Sequence, residues 1–436
     1  MTDPLFYARA VHFAASVLAA GVIFFVVFIA APALRKRHET TMAAALCSRL
    51  RWIAWSSLGL AVLSGAAWLV LTAASMSGQP VKDVLSQGVL WTVLWQTDFG
   101  NDWLARLAVA CVLAGLFVPL LSAKAATPAW LKAAAILVAA SFVGSLAFAG
   151  HAIGGRGVEG VVHPTADVLH LVAASTWVGT LAPLALLLAM NGTDETLAVA
   201  RTATLRFSTL GIASVAVILL SGIVNSWYLV GSIPALTETS YGQLLLVKIA
   251  LFAVMIAIAS VNRLWLTPRL VGDPRAAVAH SARRALLRNA AIEAALGALV
   301  IAIVAVLGTL APASHAGHHA IEGAIPADAS FQHIHSEHGM ADVMIEPGRV
   351  GTASVTIHLL DDDLETLAAR DVTLTLTAPA PGGKPTTQPA VEDPDGEWHV
   401  EAIELTEPGN WTVTVDAVLS SNRRLVLTAP IVIDAK

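Results

Sequence analysis

Cysteine is almost missing from this chain: Cys47 and Cys111 are the only two, far apart and in unlike surroundings. That excludes a disulfide framework and a CxxC metal site. Charged residues are scarce as well, at 13% of 436 residues against 56% hydrophobic. A soluble domain this apolar could not cover its own surface, so a polytopic membrane protein is the default. The net charge of -5 says little, because in membrane proteins the placement of Lys and Arg counts for more than their sum. There is no Walker A loop, no aspartyl-phosphate segment of the DKTG type and no stretch that reads as a soluble nucleotide-binding domain. ATP hydrolysis is therefore not expected, nor is any other enzymatic activity, and transport would run on a gradient, a potential or a handover. A cleavable signal peptide is not expected either, since Asp3 and Arg9 precede an apolar run too long for one.

Long apolar runs are what the chain does have. A span needs about 20 mostly apolar residues, and eight candidates stand out at 7–33, 52–75, 103–122, 130–150, 167–190, 207–231, 243–266 and 289–312. The odd-numbered connections hold the basic residues: Arg35, Lys36, Arg37, Arg49 and Arg51, then Lys124 and Lys132, then Arg201 and Arg206, then Arg263 to Arg288. The even ones are poorer in Lys and Arg and carry Asp83, Asp98, Asp102, Glu159 and Glu238. The positive-inside rule then puts both the N-terminus and the C-terminal tail outside the cytoplasm.

The stretch that organises the chain is His163-Pro164-Thr165-Ala166-Asp167-Val168-Leu169-His170, which reads as a polar loop running into an apolar helix up to Gly179. An ionisable side chain such as His170 inside a span is costly and usually functional. The N-terminus carries an earlier copy, with His12 followed by small residues and Gly21, again nine positions after the His. Thr97-Asp98-Phe99-Gly100 with Leu104 and Arg106 matches Thr239-Ser240-Tyr241-Gly242 with Leu246 and Lys248 at identical spacing, and Ser64-Gly65 matches Ser221-Gly222. Four spans per copy give both halves one orientation, which predicts a parallel repeat about an axis along the membrane normal. Repeat 1 is assigned to 1–155 and repeat 2 to 156–312.

After Pro312 the composition changes. Residues 313–339 are rich in His without an apolar period and read as a flexible linker. From 340 to 436 the pattern alternates, as in Val355-Thr356-Ile357-His358-Leu359 and Trp411-Thr412-Val413-Thr414-Val415. Turn residues separate about seven such runs, the pattern of a small β-sandwich. The expected fold class is an all-α polytopic membrane protein of eight helices, followed by an extracytoplasmic β-sandwich.

Histidine placement carries the functional signal. Of 14 His, only His38 and His280 fall in loops assigned to the cytoplasm, the asymmetry expected of a system that meets a metal from outside. His315, His318, His319, His333, His335 and His338 crowd the linker, and Met340 follows. Imidazole with thioether favours copper, as Cu(I) or Cu(II), and the few carboxylates there argue against Ca²⁺ or Mg²⁺. A second group, His12, His151, His163 and His170, is expected near the outer membrane boundary as a shared site. Asp167 is placed to orient an imidazole there. Arg106 and Lys248 occupy equivalent positions and are expected to snorkel outward, with a transport role as the alternative. Trp52, Trp103, Trp130 and Trp265 read as belt anchors. Asn225 and Glu293 are further polar intrusions, and Glu293 is given no special role.

His163-Pro164-Thr165, Asp167, the run His170 to Gly179, Gly150-His151-Ala152 and the segment Tyr241-Gly242 to Lys248 resemble the copper resistance D (CopD) family of bacterial inner-membrane proteins. The tail is more weakly similar to YtkA-like or FixH-like β-domains, through Pro408-Gly409-Asn410-Trp411. The resemblance implies copper handling between periplasm and cytoplasm, usually uptake, often with a periplasmic carrier of the CopC type. Membrane lipid and copper are the expected partners, with no nucleic acid among them. A second reading is a haem-bearing electron-transfer or metalloreductase protein with His12 and His170 as axial ligands.

Overall fold

The structure is a computed structural model. It describes the chain apart from residues 1–3, 35–40, 78–79, 87, 123–126, 150–158, 191–192, 273–275, 311–312, 314–325, 327, 337–338, 362–365, 380–384, 394–395, 421–422 and 436. The chain divides into two units, residues 1–317 and 318–436.

Among the described residues, the first unit has eight helices long and apolar enough to cross a membrane. They are α1 (Pro4–Leu34), α2 (Thr41–Ser75), α3 (Phe99–Leu120), α4 (Ala129–Phe148), α5 (Gly160–Leu188), α6 (Asp194–Val230), α7 (Ser240–Gly272) and α8 (Ala277–Leu307). In α1 and α5, 72% and 61% of the most apolar window is buried, against 11–44% in the others, so these two helices form the centre. They are also the helices that open with the paired His. Packing between membrane helices has little hydrophobic drive and relies on close approach through small residues. Gly21 on α1 and Gly179 on α5 provide that approach, and the buried small residues Ala19, Ala20 and Ser175 lie close to them in sequence.

Several helices run past their apolar stretch. The α6 helix begins at Asp194, capped by the Thr193 hydroxyl, which accepts from the Thr196 amide at 3.2 Å. Hydropathy alone expected it from 207, because Arg201 and Arg206 dilute the pattern without breaking the helix. The α5 helix likewise takes in His163 and Pro164, which the sequence reading placed in a loop. One turn in, proline removes only the bond to Gly160 at the helix end, and the Thr165 hydroxyl donates to the Val161 carbonyl at 2.6 Å.

The third helix of each half starts in the same way. The Thr97 hydroxyl accepts from the Gly100 amide at 3.1 Å, and the Thr239 hydroxyl from the Gly242 amide at 2.9 Å. Each hydroxyl also donates to a carbonyl four residues earlier, Val93 or Ala235, at 2.6 Å. A Cβ on Gly100 would lie 2.2 Å from the Val93 oxygen, and one on Gly242 would lie 2.3 Å from the Leu236 oxygen. Only glycine lets these helices start so tightly against the short helices Val89–Gln96 and Ile233–Glu238. Trp52, Trp130 and Trp265 are exposed on the bundle, as anchors should be, whereas Trp103 turns inward beside Gly65.

The second unit is a β-sandwich with nine strands among the described residues: β1 (Ser330–Ser336), β2 (Gly339–Glu346), β3 (Gly351–Leu360), β4 (Ala369–Thr377), β5 (Thr386–Pro389), β6 (Val391–Glu392), β7 (Trp398–Leu405), β8 (Gly409–Leu419) and β9 (Arg424–Ile433). One sheet has the order β1-β2-β3-β7-β6 and the other β5-β4-β8-β9. Alternate residues Val355, Ile357 and Leu359 face Val413, Val415 and Ala417 in one apolar core. The sandwich begins before 340. Residues 330–336, read from sequence as linker, form an edge strand in which Ile334 is the one buried residue among those whose side chains are described. A single inward residue leaves no visible alternation, which is why the pattern missed it.

Candidate functional site

In repeat 1, His12 on α1 is buried, 5% exposed. Its Nδ1 lies 2.8 Å from the Ala61 carbonyl on α2. A carbonyl can only accept, so Nδ1 carries the proton and Nε2 presents its lone pair. Arg106 Nη2 donates to that lone pair at 2.8 Å. Arg106 Nη1 donates to Ser145 Oγ at 2.6 Å and to the Phe142 carbonyl at 3.3 Å. The guanidinium lies over the Phe142 ring, 5.5 Å from its centroid, and Asp102 one turn earlier supplies opposite charge. Arg106 is only 6% exposed, so it points inward and does not snorkel. Its cation fills the place that a metal on His12 Nε2 would take.

In repeat 2, His170 Nδ1 lies 3.0 Å from Ser221 Oγ. The Ser221 proton goes to the Val217 carbonyl at 2.6 Å, so Oγ accepts from the imidazole. His170 Nε2 thus carries the lone pair and, unlike that of His12, receives no hydrogen bond from the described residues. Asp167, three residues earlier, accepts from Asn225 Nδ2 at 3.1 Å and interacts through space with Lys248 and His163. Lys248 also acts on His170, and Tyr241 borders Asp167. The His163 ring stacks on Tyr228 with centroids 5.1 Å apart. Asn225 Oδ1 is buried without a hydrogen-bond partner among the described residues.

The two pockets correspond residue by residue. Gly65 lies against the His12 ring as Gly222 lies against that of His170. Arg9, three residues before His12, lies over Trp68 at 5.2 Å, where the second repeat has Asp167 on Asn225. One frame thus holds a pocket sealed by a guanidinium and a second pocket with a bare imidazole nitrogen, a carboxylate and a free amide oxygen.

His12 and His170 each find their hydrogen-bond partners within their own half of the bundle, and His151, a further member of the expected shared site, lies outside the described residues. Gly21 and Gly179 meet where α1 crosses α5, and nine residues of helix turn the His about 180° from its glycine. Each ring therefore points away from the crossing, into its own half of the bundle, where His12 meets Ala61 and Arg106 and His170 meets Ser221. His151, His315, His318, His319 and His338 lie outside the described residues, and of His335 only its backbone position on β1, opposite Met340, is described. Among the described residues, no three His, Cys, Asp or Glu side chains gather closely enough to hold a metal.

In the sandwich, His333 Nδ1 lies 2.5 Å from the buried Asp342 carboxylate, and Met340 is buried. Asp342 is in turn the cross-strand neighbour of His358 on β3. His358 Nε2 meets Thr366 Oγ1 at 3.1 Å, while its Nδ1 is buried without a partner. Sequence reasoning passed over Asp342 and His358. The alternation Thr356-Ile357-His358-Leu359 held the signal, because it puts His358 on the outer face with Thr356.

The model of copper resistance protein D matches residues 201–307, and that of the copper resistance protein D-like N-terminal domain matches residues 1–161. Copper resistance protein D of Pseudomonas syringae pv. tomato is 33% identical over 225 residues, which is 51% of this chain and 71% of the relative. Inner membrane protein YebZ of Escherichia coli (strain K12) is 32% identical over 255 residues, 57% of this chain and 82% of the relative. Copper transport protein CutJ of Bacillus subtilis (strain 168) is 26% identical over 365 residues, 83% of this chain and 62% of the relative. No solved structure matches. With both halves of the bundle matched and two relatives covered over most of their length, this eight-helix, copper-related membrane protein belongs to the copper resistance D family.

Proposed function

We propose that the protein carries copper ions across the bacterial inner membrane, from periplasm to cytoplasm, with the His pockets on the periplasmic side. The observation that carries this reading is the contrast at equivalent positions: His12 Nε2 is bound by Arg106, and His170 Nε2 is left bare beside Asp167. A neutral imidazole with an accessible lone pair is a copper ligand, and a nearby carboxylate offsets the ion's charge. In this reading His170, with His163 and a ligand from His151 or the ion's own water, receives copper first. Asp167 and Lys248 set the local charge. His12 joins only when Arg106 withdraws.

The His-rich segment, His315 to His338, raises the local copper concentration by tethering. Together with Met340 and the sandwich it does the work of a carrier of the CopC type, or receives copper from one. The relatives support the direction of this argument, since one of them is named a copper transport protein. The test is copper uptake into vesicles of defined orientation, with metal analysis of the purified protein. Wild type should load copper and His170→Ala should insert normally without doing so. Full transport by a correctly inserted His170→Ala variant would remove the proposed site.

A further inference from the structure

A second polar site shares none of the histidine pockets' residues and is used by nothing above. Glu293 on α8 is completely buried. Its Oε1 accepts from Asn262 Nδ2 at 2.7 Å, and Asn262 Oδ1 accepts from Asn289 Nδ2 at 2.7 Å. Its Oε2 is buried without a partner among the described residues. Glu293 lines a cavity of about 320 Å³ between α5, α6, α7 and α8, and a second unpartnered buried oxygen, Thr204 Oγ1, belongs to the same wall. The wall is otherwise largely apolar, with Trp177, Phe207 and Ile256. The α7 helix widens to a π-turn at Asn262–Leu266, whose Asn262 carbonyl accepts from the Thr267 amide and also from the Thr267 hydroxyl at 2.7 Å. Such turns concentrate at functional sites. Along α7, Asn262 is 14 residues from Lys248, about 21 Å of helix.

A carboxyl group in an apolar wall with one oxygen unpaired lacks a partner whichever form it takes. The cavity has room and polar neighbours for water. The donor set is oxygen and amide, without imidazole or sulfur, which suits a proton and not copper. Arg263 is the other charged residue in the wall, donating to Ser208 Oγ at 2.8 Å. From α5 and α6 no titratable group lines the cavity, and the charge that α1 brings to α8, Arg9, is bound to Gly308 at the other end.

We infer that Glu293 is a proton-exchange site: its carboxyl O–H gives its proton to cavity water, leaving the carboxylate, and regains one from the face where Arg263 lies. Ionisable residues inside membrane helices serve as such relays. Joined to the transport reading, on which this second clause rests, proton exchange at Glu293 makes copper flux respond to pH on that face.

A hydrophobic carbodiimide, which attacks protonated carboxyls, tests this on the full-length protein in liposomes, read by peptide mass spectrometry. Glu293 should be modified at low pH and progressively less as pH rises, with no effect of added Na⁺. Absence of modification at every pH overturns the proposal, and protection by Na⁺ at constant pH overturns it in favour of a hard cation. Glu293→Gln keeps the acceptor for Asn262 and should fold. Its copper uptake should lose the several-fold response to pH on that face that wild type shows. An unchanged response would overturn the coupling. If wild type moves no copper, the transport reading fails while the labelling still reports on the proton site.

Discussion

Gly21 and Gly179 meet backbone to backbone at the centre of the bundle. A Cβ added to Gly21 would lie 2.3 Å from the Gly179 carbonyl oxygen, and one added to Gly179 would lie 2.4 Å from that of Val17. The crossing makes α1 and α5 one unit and aims the two His outward from it. Replacing either glycine by Val should force the helices apart and cost on the order of 1–3 kcal/mol or more. Reduced resistance to denaturant in detergent would register it. Gly115→Ala, on α3 where the added methyl meets open space, is the control and should be neutral or slightly stabilising.

The two histidines should fail differently. His12→Ala leaves the buried Arg106 guanidinium short of an acceptor, a loss of about 1–3 kcal/mol or more, so yield and thermal stability should fall along with copper transport. Arg106→Leu added to it should restore much of the stability, because the uncompensated charge goes with it. His170→Ala should keep wild-type stability and lose transport alone, and His280→Ala should change neither. Equal destabilisation by His12→Ala and His170→Ala would contradict the asymmetry.

The His-rich segment should matter at low copper only. Changing His315, His318, His319, His335 and His338 to Ser should weaken uptake when external copper is scarce and leave it near wild type when copper is abundant. His333 is kept in this variant because it partners Asp342 inside the sandwich. Equal loss at both concentrations would make the segment part of the path across the membrane. Imidazole binds metal in its neutral form, so capture should fall off below pH about 6.5.

Acid should loosen one edge of the sandwich. Arg424 on β9 bonds Asp416 on β8, with Nε to Oδ1 at 2.8 Å, and holds the Asp416 carboxyl below the usual carboxylate range. A depressed folded value stabilises the hairpin above pH about 4, and the effect is lost as pH falls through that lower value. Both groups touch water, so the contribution is small. Amide exchange across β8 and β9 should be faster in Asp416→Asn than in wild type at neutral pH, and the two should converge in acid. Identical exchange at neutral pH would show that the pair contributes nothing.

Topology is open to a direct test. Cys47, half-buried near the start of α2, should resist a membrane-impermeant thiol reagent on intact spheroplasts and react after permeabilisation. Labelling of intact cells would invert the bundle and put the His pockets on the cytoplasmic side.

Local composition was enough to determine that long apolar helices come first and a β-rich tail follows. Twenty apolar residues, alternating strands and matched Thr-x-x-Gly starts are signals that each segment carries by itself. Pairing could not be read that way. Arg106 looked like a snorkelling cation because nothing local says that His12 Nε2, 94 positions earlier, will accept its proton. Glu293 looked incidental until the π-turn of α7 brought Asn262 onto it. The spacing of nine from His to Gly was visible in both copies, but its meaning depended on which face of α1 meets α5. Helix packing made that choice, because only at the glycines can the two backbones touch, and this contact sends the histidines into separate repeats.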